Sequence, residues 1–132
     1  MSEMTPKGKR SRIGKVFRSF GYAFQGIRYA YLHEQNMAIH LCIALITILL
    51  GLLFGISQTE WFFVLVIIGL VLSMELLNTS IESLVDLVSP NEHPFAKIAK
   101  DTAAGAVSIL AITAFIGGSI IFIPHVLALF NI

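Results

Sequence analysis

The chain has 132 residues, enough for one domain, and is 56% hydrophobic and 13% charged with a formal net charge of +1. That balance departs from ordinary soluble usage, makes a lipid bilayer the expected solvent, and leaves nucleic acid off the expected partners. A single cysteine, Cys42, excludes a disulfide framework or a thiolate metal site within one chain and reads as a small buried apolar residue.

Residues 1–10 are polar and are expected to be disordered. Beyond them Ile13, Phe17, Phe20, Phe24, Ile27 and Tyr31 recur at alternating steps of four and three, which predicts a helix over 11–33 with one apolar face. Lys15, Arg18, Gln25 and Arg28 fall off that stripe. The result is a basic amphipathic helix suited to an anionic membrane surface, or to packing on other protein helices, and the two roles do not exclude each other. No short apolar stretch follows the basic start closely enough for a signal peptide, so the N-terminus is expected to be retained.

Three apolar spans follow, over 37–56, 61–88 and 101–123. Each is long enough to cross a hydrocarbon core of about 30 Å at about 1.5 Å per residue. The second becomes polar on one side beyond Met74 and extends past the bilayer into the cytoplasm. The turn Ser57, Gln58, Thr59, Glu60 lacks Lys and Arg, whereas the stretch 89–100, expected to be a loop, carries Pro90, Pro94, Lys97 and Lys100. All nine basic residues therefore fall on one side of the three spans. The positive-inside rule places the N-terminus and the second connection in the cytoplasm, with the Ser57 turn and the C-terminus outside. Trp61, Phe62 and Phe63 then mark the outer interface, and Pro124 is expected to end or kink the third span.

The second span carries the chemistry. Glu75, Asn78, Glu82 and Asp86 are spaced three, four and four apart, so at about 100° per residue they share nearly one side of a helix. Counting from Trp61, Glu75 lies roughly 20 Å along the helix, at or just beneath the inner headgroup level. Ionisable groups at that depth are costly unless paired or bound, and clustered carboxylates repel unless a cation compensates them. The available cations are Mg²⁺, held by hard oxygens, and the ammonium groups of Lys97 and Lys100. Glu34 precedes the first span at the same level and can complete a two-carboxylate metal site with Glu82. His33, His40, His93 and His125 show no zinc spacing. His40, one turn beyond Asn36, can face the same site, whereas His125 reads as an interfacial residue. Neither a GxxxxGKS/T phosphate loop nor a GxGxxG run is present, so any nucleotide site uses another construction. The segment from Ala96 to Thr102 offers ammonium groups and a helix start suited to phosphate, features that a plain topology anchor also has.

The strings ELLNTSIESLVDL (75–87) and AKIAKDTAAGAV (96–107), supported by GYAFQGIRYAYLHE (21–34), together resemble the small prokaryotic membrane kinases that phosphorylate diacylglycerol or undecaprenol. The likeness runs from about residue 15 to 107, and Asn36 and His40 are similar to the undecaprenol-type branch. It implies an all-α, integral-membrane, homotrimeric helical bundle with active sites shared between protomers, using ATP and Mg²⁺. By the same resemblance Glu75 is the general base toward the lipid hydroxyl, and Glu34 and Glu82 are ligands of Mg²⁺. Asn78, Lys100 and Asp101 match positions that organise the nucleotide and the acidic cluster. Lys15, Tyr22, Glu92 and His93 fall where the family contacts ATP, and Arg28, Asn36 and His40 are expected at the lipid substrate. Undecaprenol is the expected acceptor and diacylglycerol the alternative. Two other classes stay open on the residues alone: a cation or proton pathway lined by acids, and a structural membrane adaptor.

Overall fold

The computed structural model describes residues 12–130; the polar segment 1–10 lies outside the described residues. The described chain is all helix: α1 (Arg12–His33), α2 (Gln35–Phe54), α3 (Gln58–Val88) and α4 (Pro94–Leu129). Three of these, α2, α3 and α4, are long and apolar enough to cross a membrane.

A single extended residue, Glu34 (φ −107°, ψ 114°), separates α1 from α2. α2 ends where Gly55 enters the left-handed region (φ 61°, ψ 45°), and its N–H reaches back to the Gly51 carbonyl. Glycine adopts that conformation without the Cβ clash that other residues meet. Two residues later the chain re-enters helix through a capping box. The Ser57 hydroxyl oxygen accepts from the Glu60 N–H, and the Glu60 carboxylate accepts from the Ser57 N–H at 2.7 Å. This cap starts α3 at Gln58, three residues before the apolar run that predicted it.

The largest departure from expectation is α4. Its helix begins at Pro94, within the stretch expected to be a loop, because proline at the first helical turn lacks only an N–H that would be unpaired anyway. His93 caps it, Nδ1 accepting from the Phe95 N–H at 3.2 Å. At the other end the helix runs through Pro124 to Leu129, so that proline does not end it. The ring removes one internal hydrogen bond but its fixed φ is helical, and the flanking turns carry the helix on.

The interior is thin and follows a seven-residue spacing. Met37, Ala44 and Gly51 on α2 are buried, as are Val64, Val71 and Asn78 on α3. Side chains at this interval keep one seam facing the neighbour, as in left-handed helix packing. Gly51 permits the closest approach, since a Cβ there would stand 2.8 Å from the Trp61 ring. α3 packs most extensively on α4 and next on α2, while α1 touches α2 and α3. Cys42 lies off this seam and is exposed, contrary to the burial expected of it. Only 6% of the most apolar stretch of α4 is buried within the chain, and residues such as Phe115 and Ile120 point outward. Hydroxyls on these helices bond within their own turns, Thr47 to the Ile43 carbonyl and Ser119 to the Phe115 carbonyl at 2.8 Å each, which suits helices in hydrocarbon.

Candidate active site

The polar stripe of α3 turns inward at its centre. Glu75, Asn78 and Thr79 are the buried polar residues among those described. Glu75 is 2% exposed, and across the α2–α3 seam the His40 Nε2 stands 3.1 Å from its Oε1. That approach has pairing distance but poor direction, and Oε1 is left enclosed without a formed hydrogen bond. The neighbouring Thr79 hydroxyl does not help, since it donates to the Glu75 backbone carbonyl at 3.0 Å. Glu34 and Glu82 both lie within electrostatic reach of Glu75. Glu34 occupies the N-cap position of α2, yet its side chain makes no capping hydrogen bond, so its oxygens remain available.

One turn along α3, the Asn78 amide Nδ2 donates to Glu82 Oε1 at 2.9 Å. A carboxylate only accepts, so this contact fixes the amide and aims Oδ1 away, where it is buried and unbonded. Further along, Lys100 of α4 donates to Asp86 and lies within reach of Glu82. The cluster thus gathers residues from the α1–α2 junction, α2, α3 and α4. Among the described residues no three His, Cys, Asp or Glu side chains stand together as a complete metal cage. The Glu34 and Glu82 carboxylates are nevertheless hard donors of the kind Mg²⁺ uses, because that ion is commonly held by one or two carboxylates and keeps waters and substrate phosphates as its other ligands.

The structure brings Glu34, His40, Glu75, Asn78, Glu82 and Lys100 into one neighbourhood and leaves the other sequence candidates apart. Lys15 and Tyr22 are exposed on α1, as is Arg28, and Asn36 is exposed in the first turn of α2. Glu92 is exposed on the α3–α4 connection, and His93 serves as the α4 cap. Asp101 pairs with Lys97 one turn away, not with the cluster. One participant, Thr79, is missed by reading the sequence, and for Asp86 the partner is missed. Asp86 was visible as the last rung of the stripe, but its lysine partner 14 residues on required the fold. Thr79 gives no pattern signal, since its neighbours are Asn78 and Ser80 in an already polar run.

A family model described as prokaryotic diacylglycerol kinase matches residues 21–122. This chain belongs to that family. It is also 40% identical over 121 residues to the undecaprenol kinase of Bacillus subtilis, covering 92% of this chain and 98% of that protein. The diacylglycerol kinase of Synechocystis is 40% identical over 112 residues, 84% of this chain and 64% of its own length. That of Haemophilus influenzae is 32% identical over 117 residues, 86% and 98% respectively. The matched region contains the whole cluster from Glu34 to Lys100, so the buried Glu75 and the acids near it lie within the part of the chain that matches a lipid-kinase family.

Proposed function

We propose that this chain transfers the γ-phosphoryl group of ATP to the hydroxyl of a membrane lipid at the cytoplasmic face, with undecaprenol as the acceptor. The observation that carries the reading is the buried Glu75 carboxylate, with one oxygen unbonded, inside a membrane helix of a lipid-kinase family. A base for a lipid alcohol must sit near the headgroup level, whereas groups that meet nucleotide must be reached from water. Glu75 deeper and Glu82 two turns shallower fit that order. An apolar groove of about 890 Å³ also begins at His40 and runs between α2, α3 and α4, past Ala44, Val64 and Ala111. A lipid chain lying in it would bring its hydroxyl end to Glu75.

Glu75 takes the hydroxyl proton, and the lipid oxygen attacks phosphorus as the bond to ADP breaks. Glu34 and Glu82 would hold Mg²⁺, which when bound would supply charge neutralisation on the phosphates, and Asn78 steadies the Glu82 carboxylate. Lys100 reaches the same phosphates from α4, with Asp86 fixing its ammonium. Asp101, Lys15, Tyr22, Glu92 and His93 complete the nucleotide side, and Arg28 and Asn36 flank the lipid headgroup. Phosphoryl transfer asks for positioning and electrostatics more than covalent chemistry, which this set of side chains offers.

The orientation follows from the basic residues, all nine of which precede α2 or lie between α3 and the body of α4. In a bacterial cell membrane α1 then lies on the cytoplasmic surface as an amphipathic helix. The bare apolar surface of α4 supports a homotrimer in which neighbouring copies and lipid cover it. Undecaprenol is preferred because the relative of that name aligns over nearly its full length at 40% identity. Diacylglycerol is the second reading, favoured by the Synechocystis relative at equal identity. The test is purified protein with Mg-ATP and each lipid in matched micelles. Faster phosphate incorporation into undecaprenol is expected, and incorporation into neither lipid would overturn the reading.

A further inference from the structure

We infer that His40 is a positioning residue for Glu75, orienting its carboxylate across the α2–α3 seam while the carboxylate receives the lipid proton. The inference rests on the lipid-kinase reading and adds a residue that acts through the base and not on the nucleotide.

Glu75 has almost no other means of being held. It is 2% exposed, its enclosed oxygen Oε1 forms no hydrogen bond, and the nearest hydroxyl, that of Thr79, is committed to the backbone. Buried carboxylates in native proteins are nearly always bonded, so an enclosed oxygen without a bond calls for a partner. Among the described residues His40 is the one side chain within pairing distance, at 3.1 Å. Hydrogen bonds between catalytic groups are often misaligned before substrate binds and tighten afterwards. The groups facing Glu75 from other positions are Glu34 and Glu82, both of which repel it, so His40 is also the one attractive partner.

The geometry assigns the atoms. Nε2 of His40 faces Oε1, leaving Oε2 for the hydroxyl proton, while the lipid oxygen bonds to phosphorus and ADP departs with the electrons of the broken bond. His40 neither touches phosphate nor forms a bond in this step. It is one-sixth exposed and borders the apolar groove, so a small molecule can enter the space its ring occupies.

The experiment uses the full-length protein in micelles with Mg-ATP and undecaprenol, comparing wild type, His40→Ala, His40→Gln and Glu75→Gln, with and without added imidazole. His40→Ala is expected to lose about 10-fold to 100-fold in kcat, with the KM for Mg-ATP within about twofold of wild type. Imidazole should restore several-fold of that loss in His40→Ala and nothing in Glu75→Gln. His40→Gln, whose amide can donate to the same oxygen, should keep more activity than His40→Ala. An active wild type beside a His40→Ala variant of unchanged kcat overturns this inference alone. So does an inactive His40→Ala that neither imidazole nor glutamine relieves, since that is the behaviour of a packing residue. A wild type inert toward both lipids overturns the kinase reading and this inference with it.

Discussion

A histidine–glutamate pair stands at each end of the bundle, and the two differ in what else the carboxylate touches. At the hairpin end Glu60 accepts from the Ser57 N–H and hydroxyl at 2.7 Å each, and His125 waits 4.0 Å away with Nδ1 turned to the Ile121 carbonyl. Both members of that pair are 28% exposed. At the acidic end Glu75 is sealed in, has His40 as its single close partner among the described residues, and sits near two further carboxylates. Oε2 of Glu60 is filled locally and the side chain is partly exposed, so that acid serves the turn. The unfilled oxygen of Glu75 in a low-dielectric surrounding costs stability, and such a group persists where it serves chemistry.

Substitutions can break or sharpen this contrast. The largest effect is expected from Glu75→Gln, a kcat loss of at least about 100-fold with unchanged helix content by circular dichroism, whereas Glu60→Gln should stay within about twofold. Equal losses in the two variants would erase the distinction between the ends. Next come Glu34→Gln and Glu82→Gln, each expected to reduce turnover about 10-fold at limiting Mg²⁺ and to recover in part as the ion is raised. A Mg²⁺ titration of initial rate reads this, and rates falling equally at every concentration would argue against metal binding by these acids. Glu60→Ala should lower stability by about 1 kcal/mol through loss of the capping box while turnover per folded molecule is kept. Thermal unfolding in detergent measures it. The smallest effect is expected of Asp86→Asn, under about 1 kcal/mol, because its pair with Lys100 is well exposed.

Much of the architecture was legible because hydrophobic length and charge placement are one-dimensional signals. The three spans, the helix over 11–33 and the acidic ladder on α3 all follow from spacing, and α1, α2 and α3 appear within a few residues of their expected bounds, whereas α4 extends beyond its expected span at both ends. The start of α4 is ambiguous in sequence because proline marks loops and also opens helices, and the structure places Pro94 in the first turn. Pairings between helices were not legible. That Lys100 reaches Asp86 while Asp101 turns to Lys97 depends on the rotation of α4 about its axis. Likewise His40 could be placed near the site from Asn36 and the helical period, but its approach to Glu75 depends on how closely α2 and α3 pack at Gly51, Ala44 and Met37.

The brevity of the connections has a consequence for biogenesis. Gly55, Ile56 and Ser57 alone join α2 to α3, and three residues reach about 10 Å when stretched, far short of a hydrocarbon core of about 30 Å. Residues 89–93 between α3 and α4 reach about 17 Å and are no better able to recross it. Insertion is therefore an either-or event for the whole chain: the direction in which α2 threads the bilayer dictates the other two. A molecule that enters backwards is a complete bundle delivered to the wrong compartment, with every side chain of the cluster in register and no nucleotide to meet it.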